Sequence, residues 1–381
     1  VAERPVIAHV LHRLYLAGAE VLAADLSRRL RERYTFAFLC LDEIGPLGRQ
    51  LQAEGFEVID LQRRPGIDWS VARRLRHHAR RLRVDVLHAH QYTPFFYAAV
   101  SRGLLGTLRS SPRILFTEHG RHYPDYPRRK RMLINPILLR GGDRVTAVGH
   151  FVKQALVNHE GLPDARIAVI HNGIDADRFH YDAEQSPRLR AEVRQELGLA
   201  PDAAVALQVA RFHPVKDHAT AIAAFAHVVR ELPQAVLLLA GDGDERPRLE
   251  QRIAELNLQG HVRLLGVRQD VPRLMAAADV FLLSSLSEGI SVTLLEAMGC
   301  QLPIATTAVG GNGEVVADGE TGLLSPRGDA AALGANLTRL LRDADLRCRF
   351  GAAGRQRLER MFTQQQMHGS YAELYAAMTA R

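Results

Sequence analysis

Two glutamates, Glu288 and Glu296, are separated by seven residues in the segment Ser285-Leu286-Ser287-Glu288-Gly289-Ile290-Ser291-Val292-Thr293-Leu294-Leu295-Glu296-Ala297-Met298-Gly299. The first follows an apolar strand-like run and the second lies inside a helix-like one. Eight helical steps rise about 12 Å, so the two carboxylates bracket a helix N-terminus. A diphosphate sits well on such an end, where N–H groups lack partners and the dipole is positive. Carboxylates accept hydrogen bonds from hydroxyls, so the pair suits a ribose on one side and a second sugar on the other.

A second cluster, Arg211-Phe212-His213-Pro214-Val215-Lys216-Asp217, places two cations five residues apart after the run Val205–Ala210. A planar guanidinium and a point-charge ammonium together fit a diphosphate. Lys216 is one of only three lysines among 49 Lys and Arg, so the arginine-rich habit of the chain does not explain it. A third feature is Leu16-Ala17-Gly18-Ala19-Glu20, where Gly18 opens the first helix and lets backbone N–H groups approach a phosphate. The same glycine also suits an ordinary turn.

The elements that must carry these groups alternate. Apolar runs at Val6–His12, Thr35–Leu41, Phe56–Asp60, Val84–Ala89, Ile114–Thr117, Arg144–Ala147 and Ile167–Ile170 read as strands, with helix-like stretches between most of them. The pattern lapses around 178–187 and restarts at Val205–Ala210, Ala235–Ala240, Val262–Leu265, Val280–Ser284 and Pro303–Thr306. This predicts an α/β fold of two Rossmann-like domains, whose strand ends face a central cleft where ligands bind. The expected division is 1–178 for an N-terminal domain and 179–355 for a C-terminal one. Residues 356–381 are then C-terminal helices, the last packing back on the N-terminal domain.

Composition agrees with a globular chain: 381 residues, 47% hydrophobic and 24% charged. Three scattered cysteines form neither a disulfide framework nor a zinc knuckle. No apolar run approaches the ~20 residues of a membrane span, and the first residues read as a strand rather than a leader. The expected location is therefore cytoplasmic.

The net charge of +7 is uneven. Residues 1–180 hold 28 Lys and Arg against 18 Asp and Glu, and the remainder 21 against 24. The basic half contains Arg73–Arg83 and Arg128-Arg129-Lys130-Arg131, the latter followed by Met132-Leu133-Ile134 and Ile137-Leu138-Leu139. Such stretches suit an anionic membrane surface, or simply a solvated helix face. No RNA- or DNA-reading signature accompanies them, so no nucleic-acid partner is expected. Gly-x-Gly-x-x-Gly is absent after the first strand, which argues against a dehydrogenase. Seventeen histidines make any single one weak evidence. His88 and His90 are expected to be structural. His119, in a loop with Arg121, His122, Tyr123 and Tyr126, is the better site candidate, and no spacing suggests a metal centre.

In order along the chain, Glu288-Gly289…Glu296-Ala297-Met298 resembles the E-x7-E motif of family 4 retaining glycosyltransferases. Asp85-Val86-Leu87-His88-Ala89-His90, Thr117-Glu118-His119-Gly120 and His171-Asn172-Gly173-Ile174-Asp175 are similar to landmarks of that family's N-terminal domain. Arg211…Lys216, Ala240-Gly241-Asp242-Gly243, Leu265-Gly266…Asp270-Val271-Pro272, Gly310-Gly311…Glu314-Val315-Val316 and Asp318-Gly319-Glu320-Thr321-Gly322-Leu323 are similar to those of its C-terminal domain. The resemblance covers nearly the whole chain. It implies a GT-B fold and transfer of a sugar, with retention, from a nucleotide-diphosphate sugar to a glycan or lipid-linked hydroxyl acceptor. No cofactor and no metal are implied. Arg211 and Lys216 would neutralise the diphosphate, Glu296 hold the ribose, and Glu288 hold the donor sugar. Backbone at Gly18 and at Gly289, Ile290, Ser291 and Val292 would touch phosphate or sugar. Gly266, Val267 and Arg268 would flank the base. His119, Arg121 and Tyr123 would stand on the acceptor side. Ala17, where the family often has a second glycine, and Gly313, where it often has proline, depart from the pattern. A sugar-nucleotide epimerase of the same architecture, or a non-catalytic nucleotide-sugar-binding protein, is the alternative.

Overall fold

A computed structural model describes residues 4–15, 18–103, 112–121, 123–179 and 185–380. Leu16, Ala17 and His122 and part of the expected linker lie outside the described residues. The chain divides into two compact units, Val1–Asn172 with Gln365–Arg381, and Gly173–Gln364.

The first unit holds strands β1 (Val6–Arg13), β2 (Thr35–Glu43), β3 (Glu57–Asp60), β4 (Val86–His90), β5 (Arg113–Glu118), β6 (Arg144–Ala147) and β7 (Ile167–Val169). Between them run α1 (Gly18–Leu30), α2 (Pro46–Ala53), α3 (Trp69–Arg81), α4 (Tyr92–Ser101), α5 (Arg129–Leu138) and α6 (His150–Glu160). All pairings are parallel, in the order β3-β2-β1-β4-β5-β6-β7. Parallel strands are covered on both faces, which is why β4 is buried throughout and reads as an uninterrupted stretch.

The second unit holds α7 (Gln185–Glu196), β8 (Val205–Val209), α8 (His218–Glu231), β9 (Val236–Ala240), α9 (Arg246–Glu255), β10 (Val262–Gly266) and α10 (Val271–Ala277). It continues with β11 (Val280–Leu283), α11 (Val292–Gly299), β12 (Ile304–Thr307), α12 (Asn312–Val315), β13 (Gly322–Ser325), α13 (Ala330–Arg342) and α14 (Ala344–Met361). Its sheet runs β10-β9-β8-β11-β12-β13. Phe212, Phe225, Leu237, Leu239, Leu282 and Leu337 belong to its core. The sequence reading contains neither β13 nor α13. β13, Gly322-Leu323-Leu324-Ser325, offers only two apolar residues between a glycine and a serine that read as turn.

The last helix, α15 (Gln364–Thr379), returns to the first unit. Met367, Tyr371, Tyr375 and Met378 pack with Ile7, Leu26, Phe36 and Leu115. The division falls at Asn172, before the expected boundary at 178. Ile174 donates its N–H to Phe362 O and accepts from Gln364 N, and Phe179 packs close to Gly299, so this stretch belongs to the second unit. For the same reason α14 stays there and α15 alone crosses.

One buried ion pair locks the first unit. Arg102 donates to both Asp143 oxygens at 2.7 and 2.8 Å, and Ile114 N and Arg140 N complete the carboxylate's shell at 2.8 and 2.7 Å. Both side chains are almost fully enclosed. Arg102→Ala would leave a buried charge uncompensated, and its expected cost is about 3–5 kcal/mol in urea unfolding. A loss under about 1 kcal/mol would show that the pair is not holding β5 to the α5–β6 turn.

Candidate functional site

In the second unit β8 and β11 are neighbours, and successive connections depart from them toward opposite edges of the sheet. That reversal opens a crevice beyond the strand ends, where open α/β sheets bind ligands. The loops after these two strands carry Arg211–Asp217 and Ser284–Ser291.

The two loops are tied together. Leu286 N donates to Val215 O at 2.8 Å, and Ser284 Oγ donates to Asp217 O at 2.8 Å and Lys216 O at 3.1 Å. Across this seam Lys216 Nζ pairs with Glu288 Oε1 at 2.6 Å, and Ser285 Oγ donates to the same oxygen at 2.5 Å. Glu288 is 9% exposed and Lys216 26%. The cation expected on a diphosphate and the carboxylate expected on a sugar therefore neutralise one another. A ligand offering phosphate to one and hydroxyls to the other replaces the pair without stranding either charge.

Arg211 is exposed and has no side-chain partner among the described residues. Its backbone is held from behind. Ala210 N donates to Ala240 O at 3.0 Å and Phe212 N to Asp242 O at 2.9 Å. A Cβ on Gly241 would fall 2.0 Å from Ala210 O, and one on Gly243 2.3 Å from Phe212 O, so this approach requires glycine at both positions. Gly310 and Gly311 act likewise on the other loop, where a Cβ on either would fall 2.0 Å from the carbonyl oxygen of Glu288 or Gly289.

Ser291 is the N-cap of α11, but its hydroxyl bonds the Thr293 hydroxyl at 3.1 Å and caps no backbone N–H. No acidic residue occupies the first turn. The start of this helix, with Val292 half-buried and Ile290 buried behind it, suits an external anion. Farther along, burial pushes the Glu296 carboxyl up to about 7, against the lowering effect of Arg178. After β10, Gly266 adopts a left-handed φ of 69° and accepts from Gly241 N at 2.8 Å. Val267 is exposed beyond it, and Arg268 is engaged by Asp270 through two bonds of 2.8 and 2.6 Å.

The remaining candidates lie in the first unit, whose own reversal falls between β1 and β4. Gly18 opens α1 with open space where a Cβ would stand. His119 ends a line of buried imidazoles. Its Nε2 meets His90 Nδ1 at 2.8 Å, and His90 Nε2 meets His9 Nδ1 at 2.9 Å. Beside them His88 bonds the Tyr375 hydroxyl at 2.6 Å and the Thr117 hydroxyl at 2.7 Å. Burial lowers all four rings, His9 to about 3 and His119 to about 4, so they are neutral. His119 Nδ1 is buried without a partner, and His119, His90 and His88 line a small cavity with Leu26, Met367 and Tyr371. Ring nitrogens of His9, His88 and His90 lie within 4.8 Å of one another; His9 Nε2 has no hydrogen-bond partner, but both nitrogens of His88 and of His90 are engaged, so a metal would have to displace bonds at those two rings.

Arg121 is not free for a ligand. It grips Asp125 at 2.8 and 3.0 Å and Glu160 at 3.0 Å, and so braces the loop that presents His119. Burial pushes nearby Glu118 up to about 7. Tyr123 is exposed. The sequence reading did not single out Ser284, Ser285 or the seam they make. A small hydroxyl residue after a strand carries no signal of its partner 68 positions away.

Two parallel-sheet α/β units of seven and six strands match the GT-B fold of glycosyltransferase structures. Residues 190–357 match the profile of "Glycosyl transferases group 1" and residues 16–178 that of "Glycosyltransferase Family 4". The chain belongs to this glycosyltransferase family. N-acetyl-alpha-D-glucosaminyl L-malate synthase of Bacillus anthracis is 29% identical over 82% of this chain and 79% of its own. The UDP-Gal:alpha-D-GlcNAc-diphosphoundecaprenol alpha-1,3-galactosyltransferase of Escherichia coli is 26% identical over 63% of this chain and 62% of its own. The structure of Anabaena HepE in complex with UDP superposes with a TM-score of 0.84, at 21% identity, over 97% of this chain and 99% of that one.

Proposed function

We propose that the chain is a retaining hexosyl- or N-acetylhexosaminyl-transferase. Its donor is a nucleotide-diphosphate sugar, and its acceptor a hydroxyl of a glycan or lipid-linked saccharide in bacterial surface polysaccharide or glycolipid synthesis. Of the relatives named above, the galactosyltransferase takes by its name an undecaprenol-linked sugar, which supports that range. It works in the cytoplasm, against the inner face of the membrane. No helix among the described residues is long and apolar enough to cross one.

The observation that carries this reading is the Lys216–Glu288 pair at the crevice beside the exposed Arg211. In the reaction the bond from the anomeric carbon to the phosphate oxygen breaks and the electron pair leaves with the diphosphate. The acceptor oxygen bonds the carbon on the same face, and its proton passes to the departing phosphate. Arg211, Lys216 and the start of α11 stabilise the charge that develops, so a divalent metal is not required. Glu288 orients the sugar and Glu296 the ribose, while the backbone of Gly289, Ile290, Ser291 and Val292 lines the phosphate and Val267 lies under the base. His119 and Gly18 take the sugar and phosphate contacts that the resemblance implies.

The test is calorimetric titration with UDP, GDP, ADP and their sugar conjugates, followed by proton NMR of the product formed with the donor that binds. Saturable binding unaffected by EDTA and a product with the donor's anomeric configuration are expected. Silence across the panel, or an inverted product, overturns the reading. Because Glu296 titrates near neutrality and must be ionised to accept from two ribose hydroxyls, donor affinity should also fall as pH drops. From about pH 7.5 to about pH 6 the expected loss is up to about tenfold, and Glu296→Gln should abolish this dependence. An unchanged pH profile in that variant would remove the assignment.

A further inference from the structure

We infer that the buried line His9–His90–His119 fixes His119 as the tautomer with its proton on Nδ1, so that it donates a hydrogen bond to an oxygen of the bound sugar and does not act as a base. His90 and His9 are then its positioning residues. The inference rests on the reading that His119 meets the sugar, and adds which atom does so and what holds it there.

The line is built by the strand period. Residues two apart share a face of a sheet, and β1, β4 and β5 are adjacent. His9 stands in register with His88, and His90 with Thr117, so these four share one face, and His119 follows two residues after Thr117. The ring of His90 is clamped. It stacks on His88 at 4.2 Å and on His119 at 5.1 Å, and His88 is itself held by the Tyr375 and Thr117 hydroxyls.

A neutral imidazole has one N–H and one lone pair. His90 bonds a ring on each side, at 2.9 Å to His9 Nδ1 and at 2.8 Å to His119 Nε2, so it donates on one side and accepts on the other. The line therefore has two registers. In the first, His9 Nδ1 donates to His90 Nε2 and His90 Nδ1 donates to His119 Nε2, which leaves the His119 proton on Nδ1 and a bare lone pair on His9 Nε2. In the second every bond reverses, His9 carries its proton on Nε2 and His119 Nδ1 is the bare end. Neither terminal nitrogen has a partner among the described residues, so the surroundings of the two ends decide.

His9 is fully enclosed, with its ring stacked on Phe36 and Phe38 at 5.6 and 5.3 Å. An N–H on its Nε2 would stay without an acceptor, and buried N–H groups left so are rarer in folded proteins than acceptors left without a donor. His119 lines a cavity of about 10 Å³, room for a single oxygen, so an N–H at that end can be met from outside. Reactivity points the same way. Burial lowers His119 to about 4, so its bare lone pair would be a poor base toward a hydroxyl near neutral pH. As an N–H, the neutral ring polarises the oxygen it meets, and no bond to the ring forms or breaks.

The test is 15N NMR of the full chain labelled in its histidines, with His119 assigned by the signals that His119→Asn removes. A protonated Nδ1 and a bare Nε2 are expected in the wild type. The opposite pattern overturns the proposal without any variant of the line. His90→Asp then puts an acceptor where His90 Nδ1 donates. It should move the His119 proton to Nε2 and lower kcat by about 10²-fold, the effect of one preorganised donor, with nucleoside diphosphate affinity within about twofold of wild type. His90→Asn keeps an amide N–H at the place of Nδ1. It should hold the proton on Nδ1 and recover about tenfold or more of the lost kcat. A merely structural role would lower both variants alike and leave the tautomer as it was, and either result overturns the proposal. Should His90→Asp melt early, the wild-type spectrum still decides. Donor titration keeps the two readings apart. A bound nucleotide sugar with the His119 proton on Nε2 ends this proposal and leaves the transferase standing, whereas no donor binding with the proton on Nδ1 ends the transferase and leaves the tautomer.

Discussion

Lys216→Ala should lower kcat by about 10²–10³-fold, the cost of removing one preorganised charge from a site where negative charge develops. The ammonium sits at the reversal of the sheet, on the loop that Ser284 and Leu286 clamp to the other half of the crevice. It cannot be replaced by a neighbour, because Arg211 leaves the same strand on a separate backbone brace. Glu288→Gln isolates the partner's role. It keeps the shape and a hydrogen bond to Ser285 but removes the charge that Lys216 meets at 2.6 Å. The double variant should be far less than additive, because the two side chains act as one element. Steady-state kinetics with a melting curve for each variant check this. Turnover within about threefold of wild type in Lys216→Ala would eliminate the lysine from the charge-stabilising set.

Mild acid should unfold the first unit before the second. His9 and His119 titrate at about 3 and about 4 in the folded chain against an ordinary 6.5, and His88 and His90 are lowered in the same direction by burial and by their neighbours. Above pH 6.5 these rings are neutral in both states and contribute nothing to the balance. Below it the unfolded chain takes up protons that the folded chain refuses. Stability therefore falls by about 1.4 kcal/mol per pH unit for each ring until the folded value is reached. Glu118 works the other way. Its folded value of about 7 exceeds the ordinary 4.5, so the folded state gains as pH falls between those values. The net for this unit is about three groups, or roughly 4 kcal/mol per pH unit, which is comparable with a domain's whole stability by pH 5.

In the second unit His218, lowered to about 4, is opposed by Glu296, raised to about 7, and the two nearly cancel. Scanning calorimetry at pH 7.5, 6.5 and 5.5 should show one transition moving down steeply and the other barely moving. His9→Phe, which suits the stack with Phe36 and Phe38, should flatten the steep slope by about one proton. Equal acid shifts in both transitions, or an unaltered slope in that variant, would contradict the account.

The segments of this fold that were legible in sequence share a cause. Strands buried on both faces, such as β4, β9 and β11, are apolar runs whatever they pair with, and the edge strands β3, β7 and β10 keep enough apolar residues to be placed within a few residues as well. Loops follow strand ends because the chain must turn there, so the candidate residues Arg211, Lys216 and Glu288 could be placed after β8 and β11 and Glu296 in the helix that follows. The helical character of α15 was legible too, as was its exclusion from the strand–helix alternation. Elements without such a signature escaped: β13 has only two apolar residues between a glycine and a serine, and α7 begins inside a stretch whose polarity hides its period.

Composition, periodicity and motif order thus determined the fold class, the place of the candidate motifs after strand ends and the basic character of the first half. Only tertiary structure decided which groups neutralise which. Lys216 meets Glu288 across 72 positions, and His9 meets His90 across 81. Arg121 proves to be engaged by Glu160 and Asp125, whereas Arg128, Arg129 and Lys130 stay in solvent. The physical reason is strand order. A sheet whose first and fourth strands are neighbours brings together side chains that local pattern leaves independent, and the energy of a charge or an imidazole depends on that neighbour rather than on its place in the chain.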